Sequence, residues 1–119
     1  VKLYTRDKFM ALPAGVFFVK MAGKWANQDL CVKGETIIGR EGRAIDFYEQ
    51  TLNIIDFADS NVLVEQLEEM LEAGASYPYN RTDGRDGMFD DGDMFLVYER
   101  EDLAGLADQI RTAIEVSPT

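Results

Sequence analysis

The segment Tyr77-Pro78-Tyr79-Asn80-Arg81-Thr82-Asp83-Gly84-Arg85-Asp86-Gly87-Met88-Phe89-Asp90-Asp91-Gly92-Asp93 runs without a break into the apolar stretch Met94-Phe95-Leu96-Val97-Tyr98. Seventeen residues holding five aspartates, two arginines and three glycines cannot sit inside a small domain. They must cross its surface and hand the chain back to a core strand. Polar loops of this length in a compact domain are usually functional or disordered. The three aromatics in the segment and the abrupt return to an apolar strand argue for order, and therefore for a loop with a task.

The 119 residues fit one domain spanning 1–119. A hydrophobic fraction of 46% supplies a core, and 29% charged residues is an ordinary globular balance rather than a disordered one. No apolar run approaches the roughly 20 residues of a membrane span, and the start of the chain shows no basic-then-apolar signal. A lone Cys31 excludes an internal disulfide and suits a reducing cytoplasm. Its setting, Leu30-Cys31-Val32, predicts a buried strand thiol rather than a nucleophile.

The net charge of −10 disfavours direct binding to nucleic acid or to an anionic membrane, because both depend on basic surface. It suits solubility, a basic protein partner or mimicry of a polyanion. Histidine is absent. Ser-His-Asp and Cys-His nucleophile systems and histidine-based zinc sites are thereby excluded. Chemistry would fall to carboxylates, Tyr, Lys or Arg, so the expectation is no enzyme, no catalytic residue and no cofactor.

Along the chain, Thr5 caps a short helix over 5–12 that Pro13 ends, with Phe9, Met10 and Leu12 as its apolar side. Residues 16–21 and 29–33 read as strands, with a connection over 23–27 between them. Lys33-Gly34-Glu35 reads as a turn before a short strand over 35–38. Gly39-Arg40-Glu41-Gly42-Arg43 is a second charged loop, read mainly as a solvated turn. Strands are expected over 44–49 and 52–57. Asp59-Ser60 opens a helix that puts Leu63, Leu67, Met70 and Leu71 on one side and Glu65, Glu68, Glu69 and Glu72 on the other, with Gly74 just past its end. Residues 75–79 read as extended, and 94–99 as a strand. A last helix from Glu101-Asp102 carries Leu103, Leu106, Ala107, Ile110, Ala113 and Ile114 as its stripe. This order gives an α+β fold: a mostly antiparallel sheet covered by three helices. Trp25 reads equally as an interface anchor and as a lid on the core.

The long loop carries groups suited to more than one chemistry. No EF-hand register fits: Gly87 at position 6 puts Thr82 and Gly84 where ligands belong, and Gly84 there puts Tyr79 and Arg81 in those places. No metal site is assigned, although Asp90, Asp91 and Asp93 leave another cation open. Asn80, Arg81 and Arg85 are strong donors for phosphate. Gly84 and Gly87 allow close approach of backbone N–H groups. Tyr79 and Phe89 can wall or stack a base, and Asp83 can accept from a ribose hydroxyl or base amine. The candidate ligand-binding residues are therefore Tyr79, Asn80, Arg81, Asp83, Arg85 and Phe89. The competing account is that Arg–Asp pairs simply hold the loop down while Met88 and Phe89 plug the core. No Walker or dinucleotide fingerprint is present.

Set together, Leu3-Tyr4-Thr5-Arg6 with Phe9 and Leu12-Pro13-Ala14-Gly15, Leu30-Cys31-Val32-Lys33-Gly34-Glu35-Thr36, Asp46-Phe47-Tyr48, Gly84-Arg85-Asp86-Gly87-Met88-Phe89-Asp90 and Phe95-Leu96-Val97-Tyr98-Glu99 give the chain a resemblance to small phage-encoded proteins of the Thoeris anti-defence protein 1 type. That resemblance implies a non-enzymatic sponge in the host bacterial cytoplasm. It would sequester a cyclic ADP-ribose isomer, and in some cases cyclic oligonucleotides, as a homo-oligomer with pockets between subunits. The alternative expectation is an acidic, anti-CRISPR-like interaction protein that blocks a host nucleic-acid-binding defence complex.

Overall fold

The computed structural model describes residues 1–22, 25–26, 28–87 and 90–119, with the side chains of Trp25 and Ala26 outside that description. The chain is α+β, as expected. Its strands are β1 (Lys2–Thr5), β2 (Phe17–Ala22), β3 (Trp25–Ala26), β4 (Cys31–Ile38), β5 (Ala44–Thr51), β6 (Gly84–Arg85) and β7 (Met94–Val97), and its helices are α1 (Arg6–Met10), α2 (Ser60–Ala73) and α3 (Arg100–Val116). The strands form one antiparallel sheet in the order β1-β7-β2-β4-β5-β6, with β3 paired to β2 beside this path.

The core is aromatic. Phe9 from α1, Phe18 from β2, Phe47 from β5 and Phe95 from β7 are all fully buried. Phe9 stacks on Phe95 with centroids 4.1 Å apart, and Phe18 and Phe47 meet this pair edge-on. Such geometry adds about 0.5–1.5 kcal/mol per pair beyond area burial. Met10, Cys31 and Val97 complete the cluster. Thr5 precedes α1 in extended backbone, as an N-cap position requires, although its side chain makes no capping bond. Burial pushes the Cys31 thiol up to about 11, which suits a packing residue rather than a nucleophile.

Several local expectations are corrected. Lys33-Gly34-Glu35 is no turn: it lies inside the single strand β4, where the pairing with β5 slips between Lys33 and Thr36. Gly34 is needed there for space, since a Cβ would lie 2.9 Å from Tyr48 Cβ on β5. Lys2–Thr5 forms an unexpected strand, and Trp25–Ala26 pairs with β2 where a connection was expected. Residues 52–57 form no strand and contribute one isolated bridge, Ile55 with Tyr79.

The largest correction concerns layering. Only α1 buries residues on the sheet; α2 and α3 bury none. Both are well built helices. Asp59 caps α2 by accepting from Asn61 N and Val62 N, Gly74 ends it at φ 67°, and Glu99 and Asp102 form a capping box on α3. Their stripes nevertheless stay open to solvent toward the C-terminal turns, with Leu71 87% and Ile114 71% exposed, while Leu63, Met70, Leu103 and Leu106 are half-buried. The molecule measures 51 × 35 × 26 Å with a radius of gyration of 16.5 Å, against roughly 13.5 Å for a compact chain of this length. No helix among the described residues is long and apolar enough to cross a membrane.

Candidate functional site

The loop after α2 folds back along the free edge of β5. Asp56 N donates to Pro78 O and Asn80 N donates to Ile54 O. Asn80 Nδ2 reaches Thr51 O, and Gln50 Nε2 reaches Asn80 O. Gly84 and Arg85 then pair with Glu49 and Tyr48 as β6, and Asp86 N donates to Phe47 O. Backbone groups that β5 would otherwise present to water are satisfied by this loop.

Past β6 the loop is pinned by charge. Arg85 Nε donates to Asp46 Oδ2 at 2.6 Å, and Gly87 N donates to the same oxygen at 3.1 Å. Arg6, almost fully buried, lies 3.7 Å from Asp46 and 3.4 Å from Asp86. Lys20 bridges Asp86 at 3.0 Å and Asp93 at 3.3 Å. Burial opposes the charge on Asp46, but the bonds from Arg85, Phe47 N and Gly87 N outweigh it and hold the carboxyl below its ordinary range. Burial likewise opposes the charge on Lys20, yet Asp86 and Asp93 raise it. The same mechanism explains why Asp90, Asp91 and Asp93 do not converge on a cation. Asp93 accepts from Asp90 N and faces Lys20, and Asp90 Oδ1 accepts from Gly92 N to close its own turn. Among the described residues, no three acidic or Cys side chains come together as metal ligands.

Between this loop edge and the start of α2 lies an open cleft of about 760 Å³. Ile54, Phe57 and Val62 give it an apolar wall; Asp29, Glu49, Asp56 and Asp83 supply carboxylates; Thr51 and Thr82 supply hydroxyls. Its size falls in the range of small-molecule sites, about 300–1,000 Å³. Burial first, and then the charge of Asp86, push the Glu49 carboxyl from its ordinary 4.5 up to about 7.

Of the sequence-derived candidates, Asn80, Asp83 and Arg85 line this cleft. Asn80 is largely committed to structure, because its Oδ1 also accepts from Thr82 N. Tyr79 and Arg81 stand beside the lining, with the Arg81 guanidinium 5.0 Å from the Tyr79 ring centroid. Phe89 and Met88 lie outside the described residues, as do Gly23, Lys24, Asn27 and the Trp25 side chain. Glu49, Asp56, Phe57 and Gln66 were not foreseen. They come from β5, the segment after it and α2, and no local motif links them. The second charged loop borders a separate hollow of about 450 Å³ that includes Arg40 and Arg43.

No family model matches the chain, and no curated protein or solved structure shows significant similarity to it.

Proposed function

We propose that this protein is a binding module that sequesters a cyclic nucleotide signal without altering it, in the manner of the phage counter-defence proteins its sequence resembles. The observation that carries this reading is the cleft: a preformed, nucleotide-sized opening with an apolar wall and hydroxyl-accepting carboxylates. Arg81 on Tyr79 stands at its side as a phosphate-facing donor. The absence of histidine favours capture over catalysis. The ligand is a cyclic ADP-ribose isomer or a cyclic oligonucleotide, met in the host cytoplasm.

The module acts as a homo-oligomer. Two capped amphipathic helices with no fully buried residue, and with Leu67, Leu71, Ile110 and Ile114 exposed, support this, as does the elongated shape. A second copy would cover the apolar stripes and help to enclose a cleft that one chain leaves open.

The test is mass spectrometry of ligand released by heat, after incubation with nucleotides made by a TIR enzyme. Intact ligand is the expected result, and a degraded product would mean an enzyme. A second reading, a blocker of a nucleic-acid-binding complex, is favoured by one feature: Glu65, Glu68, Glu69 and Glu72 are all exposed on the projecting α2. Recovery of a host protein with no nucleotide would select it.

A further inference from the structure

We infer that the cleft receives the base of its ligand rather than the phosphates, and that it prefers an aminated purine whose ring carries positive charge. This rests on the nucleotide-binding reading above and specifies which end of the ligand enters.

The reason is an imbalance between acceptors and donors. Four carboxylates and two threonine hydroxyls line the opening. Among the described residues, most donors beside them are already used, the terminal amino groups of Arg85 being the exception. Asn80 Nδ2 is bound to Thr51 O, Gln66 Nε2 to Asp56 O, and Arg85 Nε to Asp46. On the acceptor side, Glu49 and Asp83 accept no hydrogen bond among the described residues, and Gln66 Oε1 is buried without a partner. An occupant that brings only acceptors, such as pyrophosphate, would face the like charges of Asp29, Asp56 and Asp83, with a partly protonated Glu49, against one lining cation, Arg85. An occupant bringing N–H donors would satisfy groups that now have none.

Shape points the same way. Phe57 and Ile54 are each 37% exposed and give the opening an apolar wall against which a planar ring can lie. The carboxylates are dispersed around that wall rather than gathered as a metal site. Glu49 faces Asp86, Asp29 and Asp46, which repel its charge, and Lys20, which favours it. A positive ring on its cleft side would relieve that repulsion.

The experiment is calorimetric titration of the full chain at fixed ionic strength with 1-methyladenosine, a cation at neutral pH, and with adenosine, inosine and inorganic pyrophosphate. The expected order is 1-methyladenosine, then adenosine, then inosine, with the first about tenfold tighter than the last and no binding of pyrophosphate. Glu49→Gln and Asp56→Asn should each erase most of the advantage of 1-methyladenosine over adenosine. Val62→Trp, which fills the cleft from the helix side, should abolish binding of all three nucleosides, and melting curves check that each variant is folded. Equal binding of the three nucleosides, or tight binding of pyrophosphate, overturns the inference. So does unchanged capture of a cyclic ADP-ribose isomer by the Glu49→Gln, Asp56→Asn double variant, which would leave the sponge reading standing. Ordered nucleoside binding without capture of any cyclic nucleotide would support the base-first cleft and remove the sponge.

Discussion

Arg85, 54% exposed at the cleft, donates from Nε at 2.6 Å to the Asp46 carboxylate, which is completely buried. The bond ties a loop residue to the strand that carries the core aromatic Phe47. The costs of breaking it are unequal. Asp46 also accepts from Phe47 N and Gly87 N and lies 3.7 Å from the nearly buried Arg6, so its loss strips several groups at once, whereas loss of Arg85 leaves Asp46 those other partners. Asp46→Ala should therefore destabilise the fold by roughly 3 kcal/mol, the scale of a broken buried pair, and Arg85→Gln by no more than about 1 kcal/mol. Urea denaturation of both variants measures this; equal losses would contradict the asymmetry.

Glu49 gives stability a pH signature. Its folded value of about 7 stands above its ordinary 4.5, so the folded state holds a proton that the unfolded state has released. Stability should fall as pH rises from about 4.5 through about 7, and Glu49→Gln should flatten that fall. Asp46 has the opposite sign. Its carboxyl is held low, so its contribution is present at neutral pH and is lost in acid as pH falls through the depressed value. Thermal melting from pH 3 to 9 separates the two.

Arg81 offers a cleaner test of ligand capture than Arg85, because it is exposed and, among the described residues, bonded to no buried group. Arg81→Glu should weaken capture of a cyclic ADP-ribose isomer by about tenfold or more, consistent with loss of a charge-assisted bond of ~1.5–3 kcal/mol, while the melting temperature barely moves. Calorimetry with that ligand decides the point.

Oligomerisation should depend on α3. Ile110 and Ile114 lie one turn apart on its stripe and are 50% and 71% exposed. Replacing both with Asp should convert the assembly to monomer in light scattering at tens of micromolar, with the β-sheet signal in circular dichroism preserved. A wild-type chain that is monomeric at that concentration would remove the shared-interface account.

Gly34 tests the bulge in β4. A methyl group there would meet Tyr48 Cβ at 2.9 Å and Tyr48 O at 3.2 Å, both on the neighbouring strand and unable to swing away. Gly34→Ala should cost roughly 1–3 kcal/mol by overpacking. Because Tyr48 pairs with Arg85, the variant should also disturb β6, which is visible as faster hydrogen exchange at Arg85 and Asp86.

Most single elements were legible from the chain. Pro13 and Thr5 bound the first helix, Asp59 and Gly74 bound the second, and β-rich runs marked β2, β5 and β7, because caps and periodicity act over a few residues. What failed was whatever depends on a partner far away in sequence. Gly34 read as a turn because turns favour glycine, but it is a strand residue accommodating Tyr48 across the sheet. The stripes of α2 and α3 read as core, since periodicity reveals an apolar face and not what covers it. The aspartates of the long loop were visible at once, yet only the fold divided them. Asp86 and Asp93 meet Lys20 and are spent on structure, while Asp83 faces the cleft together with Glu49 and Asp56. Composition and local pattern thus determined the class of fold, its helices and the loop to watch. Long-range pairing alone decided which charges are buried partners and which are left facing the open cleft, because a carboxylate's role depends on the donors brought to it from elsewhere in the chain.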